Sequence, residues 1–214
     1  MNKSGFVVGV TALGLMVSVS ASGSDDVSDF EGPYIGASIS KSKGEILWEN
    51  TGDIYDFDHD TVAVAGVFAG YNTSILDDGL IAGVEAAYAP GKVIYTSATV
   101  SSTTGRKTYD IYNSLDLNVR LGKSIKTDGG AVMPYITSGY SRVDIDTKKG
   151  ACGASSGHNY GVGMEYQSNS EFFVGLGYLK RDGFSVPVSN QACVTSNGFD
   201  GETEALQLRL GTRF

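Results

Sequence analysis

The chain has 214 residues, a length that suits one domain, and it carries 24 acidic against 16 basic residues. The formal net charge of −8 argues against a nucleic-acid partner, because phosphate backbones require clustered Lys and Arg. The 29 glycines and 4 prolines suit a closely packed sheet and exclude a collagen or a disordered chain.

The first residues have the layout of a secretory signal peptide. Lys3 is the only charged residue before Asp25, and residues 6–19 are almost all apolar or small. A helical membrane anchor is the alternative, but a spanning helix needs about 20 apolar residues. We therefore expect residues 1–21 to be a cleaved signal peptide. A short segment over 22–32 and one β-barrel domain over 33–214 would then follow.

Alternation of apolar and polar residues divides the remaining chain into eight predicted strands. They lie near 33–45, 60–73, 80–92, 108–124, 132–146, 158–168, 172–182 and 203–214. The fourth strand places its apolar residues on one face, interrupted only by Asn113: Tyr109, Ile111, Leu115, Leu117, Val119 and Leu121. The third, sixth and eighth strands alternate as clearly. The second and fifth are ambiguous and admit a bulge.

The connections between these strands alternate in length. Short ones fall near 74–79, 126–131 and 169–171, and long ones near 46–59, 93–107, 147–157 and 183–202. Short turns at one rim and long loops at the other are typical of a transmembrane barrel, whereas alternation alone also fits a soluble sandwich. Aromatic residues near the strand ends suit interfacial girdles: Tyr88, Tyr109, Tyr160, Tyr166, Phe172, Tyr178 and Phe214.

These patterns predict an all-β fold, an eight-stranded antiparallel transmembrane β-barrel with four longer loops on one side. A closed barrel has no free strand edge, so we expect a monomer. Its interior is just wide enough for side chains, and unpaired buried charges are costly. The inward charges therefore predict a packed ion-pair network: Glu85, Asp116, Arg120, Glu165 and Arg209.

The two cysteines, Cys152 and Cys193, fall in long loops that leave the predicted barrel on the same rim. An oxidising compartment favours a disulfide between them. Closing a loop of about 40 residues would restrict the unfolded chain by roughly 4 kcal/mol. Two free thiols are the alternative, and a two-sulfur metal site without a nearby His pair is not expected.

Charged residues in the long loops suggest contacts rather than catalysis. The first loop and its flanks carry six acids and no Lys or Arg, which indicates a solvated loop or a weak calcium site of no known geometry. The acids are Glu45, Glu49, Asp53, Asp56, Asp58 and Asp60. Basic residues near the long-loop side are candidates for lipopolysaccharide phosphates, or are simply solvated: Lys92, Arg106, Lys107, Lys148, Lys149, Lys180 and Arg181. We expect no cofactor and no bound metal.

Catalysis is not expected either. The chain has two histidines, His59 and His158, and no spacing places a base within hydrogen-bond reach of a nucleophile.

Short motifs follow one another in order along the chain: 32–36, 67–72, 81–85, 119–122, 133–137, 160–166 and 210–214. Together they resemble the small porin-family outer-membrane proteins, which include alphaproteobacterial surface immunogens, opacity-type adhesins and the barrel of outer membrane protein A. The resemblance implies a place in the bacterial outer membrane. It also implies that the terminal aromatic strand is a signal for the outer-membrane assembly machinery, with Leu208, Leu210 and Phe214 in that role.

The resemblance leaves three functions open. The first is a structural surface antigen that supports envelope integrity and contacts lipids and the environment through its loops. The second is an adhesin or immune-evasion factor that binds a host surface molecule. The third is a small channel, in which the interior ion pairs exchange partners to pass ions.

Overall fold

Strands account for nearly all of the chain that the structure describes. The computed structural model describes residues 30–50, 53–58, 62–76, 78–91, 93–97, 108–147, 150–168, 171–185 and 199–214, so the predicted signal peptide lies outside the described residues. Within these ranges, no helix is long and apolar enough to cross a membrane. The strands are β1 (Gly32–Asn50), β2 (Asp53–Asp58), β3 (Val62–Leu76), β4 (Leu80–Ala89), β5 (Val93–Ser97), β6 (Thr108–Lys123), β7 (Ile125–Thr127), β8 (Gly130–Thr147), β9 (Gly150–Ser168), β10 (Phe172–Ser185) and β11 (Phe199–Arg213).

Eight of these strands close into one antiparallel barrel. Around the wall, β1, β3, β4, β6, β8, β9, β10 and β11 follow one another in chain order. The barrel closes where β1 pairs with β11, from Tyr34 opposite Arg213 to Trp48 opposite Phe199. The short strands β2, β5 and β7 extend this wall by pairing with β1, β6 and β8 respectively. The predicted eight-stranded antiparallel barrel is therefore confirmed.

Three connections that the sequence predicts as long loops contain paired strands. Most of the predicted loop 147–157 belongs to β9, which begins at Gly150 and pairs with β8, so the prediction of a long loop there is wrong and Cys152 lies in a strand. The strand β2 lies inside the predicted loop 46–59, and β5 lies inside 93–107. The two strands also pair with each other, with Phe57 opposite Ser97. β-branched and aromatic residues such as Tyr55 and Ile94 favour extended backbone, although the acids around β2 indicate a loop. The wall is consequently taller on this side than predicted.

Side chains alternate between an apolar outer surface and a mixed interior. On β6, Leu117 and Val119 are more than half exposed, whereas the alternating residues Asp116 and Asn118 are buried. The third, sixth and eighth predicted strands show the faces that their alternation predicts. Aromatic residues lie on the outer surface near both rims. Those near the short-turn rim are Tyr71, Tyr166, Phe172 and Phe214, and those near the long-loop rim are Tyr88, Tyr140, Tyr160 and Tyr178.

The predicted apolar face of β6 is interrupted by a bulge at Asn113. The pairing with β8 shifts between Tyr112 and Leu115, and Asn113 adopts a φ of 53°. One extra residue reverses the alternation, so Ile111 points into the barrel and is only 7% exposed. The prediction that Ile111 shares the outer face with Leu115 is therefore wrong.

Candidate functional site: the barrel interior

Four charged side chains from four strands meet inside the barrel, towards the short-turn rim. Glu85, Arg120, Glu165 and Arg209 are each at most 5% exposed. Arg120 donates through Nη1 to Glu85 Oε2 at 3.1 Å and through Nη2 to Glu165 Oε1 at 2.7 Å. Arg209 donates through Nη1 to Glu85 Oε1 at 2.9 Å, and its Nη2 contacts the same carboxylate. We call these four residues the charge layer.

Glycines on the neighbouring strands provide the room for the charge layer. Gly175 on β10 lies between Glu165 on β9 and Arg209 on β11 in the strand register. A Cβ atom on Gly175 would lie 2.9 Å from Glu165 Cγ, closer than real Cβ contacts allow. Gly83 on β4 likewise lies opposite Arg120. The many glycines of the sequence thus let long charged side chains cross a narrow barrel.

Aromatic rings surround the charge layer. The guanidinium carbon of Arg120 lies 4.0 Å from the ring centre of Tyr135, and that of Arg209 lies 3.9 Å from the ring centre of Phe68. Tyr34 accepts a hydrogen bond from Arg120 at 2.8 Å and donates one to Glu85 at 2.9 Å. Cations over aromatic faces are stabilised by the ring quadrupole. These interior rings were not predicted from the sequence, because the aromatic pattern near the strand ends indicated residues of the outer face.

Arg213 carries the polar network down to the short-turn rim. Its Nη2 lies 3.5 Å from Glu165 Oε2, and its Nε donates to Gln167 Oε1 at 3.0 Å. Its Nη1 donates to the backbone carbonyl of Phe30 at 2.6 Å. Arg213 is not a member of the network predicted from the sequence. The signal was present, since Arg213 is four residues beyond Arg209 on the same strand and so faces inward too.

Asp116 belongs to a second interior group rather than to the charge layer. It accepts hydrogen bonds from Arg181 Nε at 2.9 Å and from Arg181 Nη2 at 2.6 Å. Ser141 also donates to Asp116, and Asn159 Nδ2 donates to Ser141 Oγ at 2.8 Å. This buried group lies closer to the long-loop rim. The predicted ion-pair network therefore consists of two separate levels.

The prediction that Arg181 contacts lipopolysaccharide is wrong, because its side chain points into the barrel and is 8% exposed. Lys180 is the outward residue of this pair, and its Nζ lies 2.7 Å from Glu202 Oε2. Alternation from the outward Tyr178 would have predicted both directions.

Small cavities border the second interior group, the one around Asp116. One has a volume of about 50 Å³ and the other about 20 Å³. At about 10–15 Å³ for one water molecule, they have room for only a few waters. Short polar side chains line the larger one, among them Ser38, Ser40, Ser42, Ser114, Thr203 and Gln207. These two cavities are therefore large enough for a few water molecules but not for a wide channel.

Several predicted residues lie beyond the described ones. These are Lys92, Arg106, Lys107, Lys148, Lys149, His59, Asp60 and Cys193, while the side chains of Cys152 and of the other loop acids are not described. The disulfide between Cys152 and Cys193 stays a prediction. Among the described residues, no group of three or more His, Cys, Asp or Glu side chains is arranged to hold a metal ion. The predicted assembly-signal residues Leu208, Leu210 and Phe214 are exposed on the outer face.

Comparisons with known proteins agree with this architecture. A family model described as "Outer membrane protein beta-barrel domain" matches residues 10–214. The solved structure of the outer membrane protein OprG from Pseudomonas aeruginosa has a TM-score of 0.57 at 13% identity, covering 86% of this chain and 96% of that chain. The outer membrane protein AlkL, solved in lipid bilayers, has a TM-score of 0.51 at 16% identity, covering 93% and 97%. Neisserial surface protein A reaches 0.46 at 14% identity, covering 86% and 97%. No curated protein matches the chain.

Proposed function

We propose, from the fact that this chain belongs to the outer membrane protein β-barrel family, that it supports the envelope and presents a surface to the environment. The chain therefore belongs in the bacterial outer membrane. We propose that the short turns are on the periplasmic side, as is usual for outer-membrane barrels. The apolar outer band then contacts lipid, and the long-loop rim is extracellular.

The filled interior is the observation that carries this proposal. The charge layer and its aromatic neighbours occupy the barrel cross-section, and every member of the layer is almost fully buried. An ion that crossed the layer would have to separate charge pairs in a medium of low dielectric constant, which is costly. We therefore favour a structural role over a channel.

The interior acids also favour a role without catalysis. Glu85 and Glu165 are held by arginines, and Asp116 is held by Arg181. His158, the histidine in the described residues, lies exposed on the outer face, away from these acids. We infer that the interior has a packing role.

Lipopolysaccharide is the partner that we propose for the outer surface. Cations lie just above the extracellular tyrosines on one arc of the wall: Lys41, Lys43, Arg142 and Lys180. Lys43 Nζ lies 3.0 Å from Glu204 Oε2, and Lys180 Nζ lies 2.7 Å from Glu202 Oε2. Exposed ion pairs are weak, so phosphate oxygens of the lipid can compete with these carboxylates for the two lysines.

The test distinguishes the contribution of the barrel to detergent resistance from the contribution of its loops. A deletion strain would be complemented with the full-length chain or with a chain trimmed of 98–107 and 186–198, which lie outside the described strands. Because the trimming removes Cys193, both forms would carry Cys152→Ser. We expect the trimmed barrel to restore resistance to detergent and bile salts. Failure of a folded trimmed barrel to restore it would contradict the envelope role.

Recognition of a host surface molecule is the second candidate function. The pairing of β2 with β5 extends the wall beyond the apolar band and gives the loops an ordered base. In the same experiment, adhesion to host cells would depend on the loops. If neither form alters resistance while adhesion follows the full-length chain, the protein is a recognition factor.

A further inference from the structure

Phe30, two residues before the first residue of β1, lies inside the periplasmic mouth of the barrel. Its side chain is 0% exposed. The ring belongs to an apolar cluster with residues from two strands across the mouth: Ile81 of β4 and Ala131, Met133 and Tyr135 of β8. A residue between an exported leader and a first strand would ordinarily lie in solvent. Here the chain instead places a large ring into the opening.

Polar contacts fix the backbone of this segment on both sides of β1. The carbonyl of Phe30 accepts hydrogen bonds from Arg213 Nη1 at 2.6 Å and from Asn72 Nδ2 at 3.1 Å. The Glu31 carboxylate accepts one from the backbone N–H of Ser74 at 2.9 Å. Arg213 is on β11, while Asn72 and Ser74 are on β3, the two strands that flank β1. The position of the ring is therefore built into the barrel seam.

Phe30 is next to the charge layer. Tyr135, which packs in the Phe30 cluster, also carries the guanidinium of Arg120 on its ring. Arg213, which holds the Phe30 carbonyl, lies 3.5 Å from Glu165. The Phe30 cluster thus lies between the short-turn rim and ion pairs whose strength depends on a dry environment.

We propose that Phe30 is a stopper, a self-supplied plug that seals the periplasmic mouth and keeps water from the charge layer. The proposed envelope role does not require such a seal in the segment that precedes the barrel. A force that withdraws this segment would open the mouth while leaving the strand pairing intact.

The test measures how readily a small reagent reaches a thiol in the Phe30 cluster. Ala131→Cys places a small reactive group in the Phe30 cluster, in a chain carrying Cys152→Ser and Cys193→Ser. The folded barrel in detergent micelles would be treated with neutral hydroxyethyl methanethiosulfonate, and the labelling rate followed by mass spectrometry. We expect slow labelling with Phe30 present. In the Phe30→Ala protein we expect labelling at least about tenfold faster, the change that losing one buried ring produces in an opening equilibrium.

Two further variants make the result specific. Phe172→Ala removes a lipid-facing ring near the same rim, 64% exposed, and should leave the labelling rate unchanged. Phe30→Leu retains apolar bulk, and it should fold and label at an intermediate rate. Only protein that shows the mobility of a folded barrel on unheated gels would be used. Equal rates with Phe30, Leu and Ala at this position, or fast labelling of the chain that retains Phe30, would overturn the proposal.

Discussion

Arg120 links two carboxylates in the barrel interior and is itself held against two aromatic rings. It contacts Glu85, Glu165, Tyr34 and Tyr135, and it is 5% exposed. Glu85 retains Arg209 as a second partner at close range. Glu165, which is fully buried, has its other cations only at 3.5 Å. The stability of the interior therefore depends on Arg120 chiefly through Glu165.

We expect Arg120→Met to lower the free energy of unfolding by about 3–5 kcal/mol, because it leaves a buried carboxylate without its closest cation. Adding Glu165→Gln should recover part of this loss, since the amide carries no charge. Arg142→Met, on the outer face, is the matched control and should change the free energy by about 0.5 kcal/mol or less. Urea unfolding of the refolded barrel in detergent measures all three. An Arg120→Met protein as stable as the Arg142→Met protein would contradict the ion-pair account.

At the scale of the strands, the bulge in β6 decides which side chains face the interior. Asn113 takes the extra position with a φ of 53°, in the left-handed region that Asn and Gly tolerate. Its Oδ1 accepts a hydrogen bond from Tyr88 at 3.0 Å, and its Nδ2 donates to Asp144 at 3.2 Å. The bulge allows Ile111 to pack inside while Leu115 contacts lipid.

Two substitutions at Asn113 separate its backbone role from its side-chain contacts. Both Asn113→Gly and Asn113→Val lose the hydrogen bonds to Tyr88 and Asp144, but only Val is strained at positive φ. We expect the Val protein to be less stable than the Gly protein by about 1–2 kcal/mol. Leu117→Val tests a β-branched residue in regular strand and should be tolerated. If the two Asn113 variants unfold at the same urea concentration, the bulge does not require a left-handed residue.

For the whole molecule, the closed wall and the buried interior side chains together form a barrel that is packed inside. The eight strands leave no unpaired barrel edge, and the charge layer is buried inside the barrel. The outer band is apolar between two sets of aromatic residues, as lipid contact requires. A barrel of this kind resists unfolding by detergent because its backbone hydrogen bonds are all internal.

We expect the mature chain to migrate differently on gels with and without boiling, and to show no discrete openings in planar lipid bilayers. The mobility shift and flotation with lipid vesicles serve as controls, because they establish that the protein is folded and inserted. Discrete current steps from such a preparation would favour the small-channel alternative and contradict the proposed closed barrel.

The sequence alone determined the eight strands of the barrel wall and most of their faces, because side chains in extended backbone alternate with a period of two. Glu85, Arg120, Glu165 and Arg209 could be predicted to point inward on that basis, as could the apolar outer residues of β9 and β11. On β6 the alternation failed at Asn113, where the bulge interrupts it. Arg181 and Arg213 follow the same alternation, so their inward direction could have been predicted from the sequence as well.

Only the tertiary structure decided which inward groups meet. Asp116 pairs with Arg181 rather than with the charge layer, and Phe30 lies in the periplasmic mouth beneath Arg213. These contacts depend on the stagger between strands and on barrel closure, which set the height of each residue in the lumen. Alternation predicts the direction of a side chain. It does not predict the height of that side chain in the lumen relative to residues far away in the chain. The physical reason is that direction is a local property of the backbone, whereas height is set by the closed sheet as a whole.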